Sequence, residues 1–238
     1  MAKRKPAAKK KKKPIRPGRW VLRRAVVILG GIVMLLVVVI ALYAFVNPPT
    51  TPYIVGEGRR LGGVEREWVD MDQIAPAMAR SVVAAEDANY CLHWGFDMNA
   101  IRAAIEEGSN RGASTISQQV VKNVFLWHGR SWLRKALEAG ITPAVEAIWS
   151  KRRLLEIYLN VVEFDAGVFG VEAAARHYFG VSALNLSDQQ AALLAAILPN
   201  PKERSASNPS AFVQRRASAI RSGAATIRAD GRDDCFES

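Results

Sequence analysis

The sequence predicts a mainly α-helical domain preceded by a single transmembrane helix. Three observations lead to this prediction: an uncharged apolar run near the N-terminus, apolar residues at helical spacing over most of the remaining chain, and few segments that alternate as strands do. Half of the 238 residues are hydrophobic, which excludes a mostly disordered chain. We therefore expect one membrane anchor followed by one sizeable core.

The transmembrane prediction rests on residues 25–46, which contain no charged side chain. A helix of this length reaches about 33 Å and matches a hydrocarbon core of about 30 Å. The run is longer than the apolar part of a cleaved signal peptide, and no small-x-small cleavage site follows it. We therefore predict an uncleaved anchor rather than a signal peptide or a buried core helix.

The positive charge of the chain lies before this anchor and predicts its orientation. Residues 1–24 contain 12 of the 33 Lys and Arg and no acidic residue, whereas the rest of the chain has 21 basic and 22 acidic residues. By the positive-inside rule the basic tail is cytoplasmic and the main domain lies outside, in the periplasm of a bacterium. The lysine run lacks interleaved aromatic residues, so we expect contact with anionic lipid and no nucleic-acid partner.

The sequence divides further into a linker, a domain and a tail. We predict a proline-rich linker over 47–60, a helical domain over 61–216 and a flexible tail over 217–238, with a short helix and then a frayed end within the last forty residues. Helices are predicted before Glu86, after an N-cap at Ser114, from 131 to 140, over 151–162, and after a capping box at Ser187. Cys91 and Cys235 allow at most one disulfide, which the sequence does not demand.

A first cluster of chemically interesting residues lies between 84 and 97. Glu86, Asp87, His93 and Asp97 are set among aromatic residues just past a predicted helix. A carboxylate that is partly desolvated there would have a raised pKa, which suits proton transfer. The alternative is a solvated helix end with His93 as a packing residue.

Two further clusters carry hydroxyl, amide and basic side chains. Residues 111–123 place Ser114, amides and Lys122 at a helix start, which suits an anionic oxygen such as a phosphate, although the order of a P-loop is missing. Arg130, Arg134 and Lys135 then converge with Glu138. The alternatives are an amphipathic helix with a polar outer face and a surface ion pair one turn apart.

Several functional classes are excluded by missing motifs. The sequence contains no H-E-x-x-H and no paired Cys motif for zinc, and no G-x-S-x-G for a serine hydrolase. The S-x-x-K, S-x-N and K-T-G set of penicillin-binding acyl transfer is also missing. No transpeptidase activity is therefore expected.

Four motifs in order resemble the peptidoglycan glycosyltransferase family, the lipid II polymerases. They are E-D-x-x-Y-x-x-H-x-G-x-D (86–97), G-x-S-T-I-x-Q-Q-x-x-K-N (112–123), R-K-x-x-E (134–138) and K-x-R-x-L-E-x-Y-L-N (151–160). The resemblance extends from about Asp70 to Pro201. It implies a lysozyme-like domain with a small membrane-proximal lobe, anchored in the cell inner membrane.

The resemblance also implies an activity and its partners. The enzyme would elongate glycan chains from lipid II in one inverting displacement, forming β-1,4 bonds and releasing undecaprenyl diphosphate. Its partners would be lipid II, the growing glycan strand, membrane lipid and proteins of cell division or elongation. The sequence requires no cofactor, and the resemblance admits Mg or Mn at the lipid diphosphate near Glu138.

Residue roles follow from the resemblance position by position. Glu86 matches the catalytic general base, and Glu138 matches a second glutamate that assists on the donor side, directly or through a divalent ion. The diphosphate-binding positions are Ser114, Lys122 and Arg130, with Arg134 and Lys135 flanking them. The positions that shape the cleft and complete the predicted substrate site are Asp87, Gln118, Gln119 and Asn123.

Two other functions remain open at this stage. A lysozyme-like lytic transglycosylase would share the fold and a lone acidic glutamate but would cleave glycan, and it would not need Lys122, Arg130 and Lys135 gathered around a diphosphate. A membrane-anchored scaffold for cell-wall partners would not need Glu86 to be intact.

Overall fold

The computed structural model describes residues 17–106, 114–129 and 131–237. The chain divides into two compact units, residues 1–39 and 40–238. The predicted basic tail falls mostly on residues 1–16, which lie outside the described part.

The first helix, α1, runs from Pro17 to Tyr43, and within it Gly18–Tyr43 is long and apolar enough to cross a membrane. It begins eight residues before the predicted start at residue 25 and ends three residues before the predicted end at 46. The earlier start is favoured because proline suits the first helical position and arginine is a good helix former. The prediction had excluded these residues because a membrane-spanning segment is recognised by its lack of charged side chains. A helix, in contrast, can continue through charged residues such as arginine.

Ten more α-helices and a small sheet follow within the described residues. The helices are α2 (Pro52–Leu61), α3 (Pro76–Glu86), α4 (Met98–Glu106), α5 (Ile116–Phe125), α6 (Trp132–Ile148), α7 (Lys151–Val161), α8 (Val171–Phe179), α9 (Asp188–Ile197), α10 (Ala211–Ala229) and α11 (Asp234–Glu237). Strands β1 (Glu65–Arg66), β2 (Glu163–Asp165) and β3 (Val168–Phe169) pair in the order β1-β3-β2, with β1 parallel and β2 antiparallel to β3. The mainly α prediction is confirmed, and the sheet is too short for the sequence pattern to have shown it.

The predicted linker over 47–60 is wrong for its second half. Residues 52–60 belong to α2, and the Thr51 hydroxyl caps that helix by accepting a hydrogen bond from the Ile54 amide. The prolines before it are also bound, because Arg66 donates to the carbonyl oxygens of Pro48 at 2.9 Å and Pro49 at 2.7 Å. The segment is therefore part of the second unit rather than a free spacer.

The core of this unit has two groups of helices. Helices α3, α9 and α10 pack together, and α5 packs between α6 and α7. Fully buried aromatic side chains fill the interior, among them Tyr90, Tyr158 and Phe164. The buried side chain of Asn160 joins α7 to the chain before α3, since its amide nitrogen donates to the Val69 carbonyl and its oxygen accepts from the Val69 amide, both at 2.9 Å.

The loop after the Glu86 region rests directly on α6 at Gly95. This residue has a φ of +84°, and a Cβ atom there would lie 2.7 Å from Thr142 Cγ2. The carbonyl oxygen of Gly95 accepts a 2.7 Å hydrogen bond from the Thr115 hydroxyl at the start of α5. Glycine is therefore needed both for the backbone conformation and for the close approach.

The flexible C-terminal tail predicted from 217 onward is wrong within the described residues. Position 217 lies in the middle of α10, whose buried side chains fall at helical spacing: Val213, Ala217, Ile220, Ala224 and Ile227. The prediction weighed the Ser, Ala and Arg content of this stretch rather than that spacing. Helix α11 follows and buries Phe236 completely.

A disulfide joins this C-terminal end to the loop after Glu86. It links Cys91, in the 3₁₀ turn Tyr90–Leu92, to Cys235 in α11, across a sequence separation of 144 residues. The bond holds α11 against a loop that begins four residues after the predicted catalytic glutamate.

Removing the disulfide is expected to lower the free energy of unfolding. Replacing Cys91 and Cys235 with serine should cost about 2–5 kcal/mol, because the unfolded chain loses a long covalent loop closure. Thermal or chemical unfolding of the detergent-solubilised protein measures this, and a reductant should reproduce the loss in the natural chain and have no effect on the double variant. An unchanged unfolding midpoint in the double variant would show that the bond does not stabilise the fold.

Candidate active site

The predicted general base, Glu86, ends α3 at the edge of a cleft and is held from two sides. Gln119 Nε2 donates a 3.0 Å hydrogen bond to Glu86 Oε2, while the Arg216 guanidinium lies 3.8 Å from Oε1. The side chain of Glu86 is 15 % exposed. One carboxylate oxygen is therefore fixed by a neutral amide, and the other is open to a proton donor.

The surroundings of Glu86 raise the pKa of its carboxyl above the ordinary value of 4.5. Burial is the main cause, and the hydrogen bond from Gln119 and the charges of Arg216 and Lys122 oppose it. A raised pKa makes a carboxylate a better proton acceptor near neutral pH. The predicted proton-transfer environment of Glu86 is thus present, whereas the alternative of a solvated helix end is not.

The orientation of Gln119 is set by Tyr158, a residue that the sequence analysis did not single out as functional. The Tyr158 hydroxyl donates to Gln119 Oε1 at 3.3 Å, which turns the amide nitrogen toward Glu86. Tyr158 is fully buried on α7. Its place in the fourth motif was visible in the sequence, but its contact with Gln119 required the packing of α7 on α5.

Asp87 fastens the loop to the start of α5. Its Oδ1 lies 2.7 Å from His93 Nε2, and its Oδ2 accepts a 3.0 Å hydrogen bond from the amide of Ile116. Asp87 is 7 % exposed. These two contacts join the loop to the start of α5 and give His93 a partner as well as a packing role.

The start of α5 differs from the prediction by one residue. Thr115, not Ser114, is the N-cap: its hydroxyl accepts from the Gln118 amide, and Gln118 Oε1 accepts from the Thr115 amide at 3.1 Å. The sequence offers two adjacent hydroxyl residues, and only Thr115 has the glutamine three positions later that completes a capping box. Gln118 is buried in this cap, so its contact with substrate stays a prediction.

Ser114 is left to face a cluster of charged residues on α6. Lys135 Nζ donates to the Ser114 hydroxyl at 3.0 Å and also to Glu138 Oε1, and Arg134 donates to Glu138 Oε2 at 3.0 Å. Glu138 is 3 % exposed, so this is a buried carboxylate with two cations rather than a surface pair. Arg130, predicted to join the cluster, lies outside the described residues.

The negative charges of both predicted glutamates act on the ammonium group of Lys122. Burial lowers the pKa of its ammonium from 10.5, while the negative charges of Glu138 and Glu86 raise it and those of Arg134 and Lys135 lower it. Lys122 therefore interacts electrostatically with four of the other predicted site residues, Glu86, Glu138, Arg134 and Lys135. The outer-face position that helical spacing predicted for Lys122 turns out to be a cleft wall.

Two cavities open on either side of this arrangement. The first, of about 270 Å³, is lined by Glu86, Asp87 and Ser114, and the second, of about 340 Å³, by Gln119, Lys122 and Asn123. The hydrogen bond between Gln119 and Glu86 joins their walls. The two cavities together have room for two ligand groups, with Glu86 lining the first cavity.

The second cavity also contains residues that the sequence analysis missed. Tyr53 and His128 stack with ring centroids 3.4 Å apart, and Lys202 binds Glu57 at 3.0 Å and Glu163 at 3.3 Å. Burial, with the charges of Lys122 and Arg134, lowers the pKa of His128 to about 4, so the ring is neutral at physiological pH. No sequence signal marked these residues, because they come from segments far apart in the chain.

Large apolar side chains are exposed on α4 and at the start of α6. Trp132 is 91 % exposed, Ile105 75 % and Leu133 65 %. Helix α4 has no buried residue. Side chains of this kind suit contact with a partner or a membrane where they form a contiguous patch.

A buried carboxylate with a raised pKa beside a set of cations, in a helical domain with two cavities, indicates an enzyme of the transferase or glycan-cleaving kind. Comparison with known proteins narrows this class. The sequence model of the transglycosylase family matches residues 56–224, and the chain belongs to that family. Its catalytic domain is accordingly lysozyme-like, as the resemblance of the four motifs implied.

Several relatives carry the name biosynthetic peptidoglycan transglycosylase. The one from Jannaschia sp. (strain CCS1) is 68 % identical over 197 residues, covering 83 % of this chain and 82 % of its own. Those from Pseudomonas fluorescens (strain SBW25) and Caulobacter vibrioides are 51 % and 46 % identical, over 81 % and 82 % of this chain and 84 % and 87 % of theirs. The chain is thus similar to these proteins over nearly their whole length.

Replacing Glu86 with glutamine should lower turnover at least about a hundredfold and leave lipid binding intact, because the amide cannot accept the proton. In the natural enzyme kcat/KM should fall as the pH drops through the pKa of Glu86, which burial places above that of an ordinary glutamate. Initial rates of the purified enzyme over a pH series measure both effects. Near-normal turnover of the glutamine variant would rule out Glu86 as the base.

Replacing Lys122 with methionine should lower kcat/KM by about 10² to 10³, the usual loss when one fixed charge that stabilises a transition state is removed. Methionine keeps most of the volume, so the thermal unfolding midpoint should change little. Kinetics and unfolding are measured on the same preparation. A rate that stays within about twofold of the natural enzyme would contradict a role for Lys122 at the diphosphate.

Proposed function

We propose that this protein is the membrane-bound polymerase that elongates peptidoglycan glycan chains from lipid II, forming β-1,4 bonds and releasing undecaprenyl diphosphate. The observation that carries this proposal is the joint placement of a buried base, Glu86, and the cations of Lys122, Arg134 and Lys135 along one cleft. Membership of the transglycosylase family supports the same activity. The family match and the high identity to named relatives extend over the cleft residues.

The reaction needs one group that accepts a proton and positively charged groups that stabilise the leaving diphosphate. Glu86 removes the proton from the 4-hydroxyl of the acceptor sugar, whose oxygen attacks C1 of the donor as the bond from C1 to the diphosphate breaks. The leaving diphosphate takes the electron pair, and Lys122 with Lys135 stabilises its charge in a poorly hydrated cleft. Attack opposite the leaving group converts an α-linked donor into a β-linked product.

Glu138 serves this step by holding cations rather than by moving protons. Both of its oxygens are engaged, one by Arg134 and one by Lys135, and its buried charge allows these cations to stand close together. A divalent ion would bind Glu138 only by displacing one of them. Mg or Mn at the diphosphate would instead be coordinated mainly by the phosphate oxygens of the substrate, which is how Mg²⁺ is commonly bound.

The location that suits this activity is the outer face of the cell inner membrane. Helix α1 is the candidate anchor, and the basic residues before it favour a cytoplasmic N-terminus. The disulfide between Cys91 and Cys235 supports an oxidising compartment such as the periplasm for the catalytic domain. The exposed side chains of Trp132, Leu133 and Ile105 suit contact with the lipid surface where the substrate resides. Binding of division or elongation proteins stays a prediction.

The two other functions, lytic cleavage and scaffolding, explain fewer of the features observed in the cleft. A lytic transglycosylase needs an acid at the glycosidic oxygen, but it has no leaving diphosphate to explain the two cations held by the buried Glu138. A scaffold would explain neither the raised pKa of Glu86 nor its hydrogen bond from Gln119.

Purified full-length protein incubated with labelled lipid II should form a polymer that muramidase degrades, and the Glu86→Gln variant at equal concentration should form none. Gel separation of labelled products before and after digestion measures this. Release of fragments from preformed glycan without polymer would move the assignment to the lytic class. Neither activity from cooperatively folded protein would favour the scaffold.

A further inference from the structure

Helix α10 brings a positive charge to the catalytic base from a part of the chain that none of the four motifs covers. Ser210 caps this helix, and its buried face packs against α3 and α9. Arg216 stands at the edge of that face with its side chain 31 % exposed. Its guanidinium reaches the last turn of α3, where one nitrogen lies 3.8 Å from Glu86 Oε1 and 3.5 Å from the carbonyl oxygen of Ala85.

The spacing between Arg216 and Glu86 has a chemical consequence. At 3.8 Å the guanidinium attracts the carboxylate without donating a hydrogen bond to it. Oε1 therefore keeps its lone pairs available, while Oε2 is occupied by Gln119. A closer, bidentate pair would prevent Glu86 from accepting a proton, because both of its oxygens would then be engaged in hydrogen bonds to the guanidinium.

Arg216 is also not saturated by the protein. Its Nε is buried and has no hydrogen-bond partner within the described residues. A purely structural arginine at a helix end would be expected to satisfy its donors with carbonyl oxygens or carboxylates. The unused donor points to a role that depends on the charge of the group rather than on its hydrogen bonds.

The other charged or titratable groups around Glu86 are few and come from three elements. Lys122 on α5 is the second cation, and the charge of Asp87, next in the chain, opposes the effect of the two cations on the pKa of Glu86. Tyr158 on α7 is neutral, because burial raises the pKa of its hydroxyl well above 10.0. Removing Arg216 would leave Glu86 buried with a single favourable charge.

We propose that Arg216 is a positioning residue for Glu86: from α10 it holds the carboxylate in its ionised, proton-accepting form and directs Oε1 toward the acceptor sugar. This inference rests on the proposed polymerase function. It extends the catalytic unit beyond the four motifs into the C-terminal helix. The exposed neighbour Arg215 provides a matched control on the same turn of α10.

The test compares Arg216→Gln, Arg216→Lys and Arg215→Gln with the natural enzyme, as full-length protein in detergent with lipid II. Loss of the charge at 216 should move the acid limb of the kcat/KM profile to higher pH by about one unit, since a cation near a carboxylate lowers its pKa by roughly 1–3 units. The rate on the acid side should then fall about tenfold and approach the natural rate within about threefold at alkaline pH. Arg216→Lys and Arg215→Gln should keep the natural acid limb.

Two results would overturn the inference. One is a loss of rate that is equal at every pH, which a structural role alone would produce, and the other is an unchanged profile in Arg216→Gln. If that variant does not unfold cooperatively, Arg216→Met, which keeps the aliphatic stem, replaces it and is read in the same way. A natural enzyme that forms no polymer at any pH would remove the polymerase proposal and this inference with it, whereas polymer formation with an unmoved acid limb removes this inference alone.

Discussion

The hydrogen bond from Gln119 to Glu86 is the contact on which the cleft depends. It requires α5 to lie within reach of the end of α3, and every neighbouring interaction keeps it there. The capping box fixes where α5 begins, Asp87 ties the amide of Ile116 to the preceding loop, and Tyr158 turns the amide of Gln119. A shift of one residue in the start of α5 would rotate Gln119 and Lys122 away from the base, because each residue turns a helix by about 100°.

Burial of charge is the second constraint, and it explains why the cations are grouped. Lys122, Arg134 and Lys135 repel one another, and the buried Glu138 offsets that repulsion because it pairs with Arg134 and Lys135 and its charge also acts on Lys122. Three cations against one Glu138 leave this cluster with a net positive charge. In the proposed function the negative charge of the leaving diphosphate balances it.

The C-terminal helices belong to the catalytic domain rather than to an appendage. Helix α10 packs on α3, the helix that ends in Glu86, and Cys235 in α11 is bonded to the loop that follows. The base is thus supported from residues more than a hundred positions away. This long-range support is consistent with a site whose position must stay fixed while a polymer moves past it.

The sequence by itself predicted the class of fold, which is confirmed, a candidate membrane anchor, and Glu86, Lys122 and Glu138 as candidate catalytic and binding groups. These follow from local patterns: helical periodicity, an uncharged run, and four short motifs in order. It misjudged the start of α1 at residue 17, the N-cap of α5 at Thr115, the linker and the tail, because caps and packing compete there with composition.

Only the tertiary structure decided the partners of each group. Several contacts join segments that lie far apart in the chain. They are the hydrogen bond from Tyr158 to Gln119, the ion pair of Arg216 with Glu86, the ion pair of Lys202 with Glu163 at the second cavity, and the disulfide between Cys91 and Cys235. Such contacts depend on how helices pack against one another, and that packing is set by the burial of whole apolar faces rather than by any residue's neighbours in sequence.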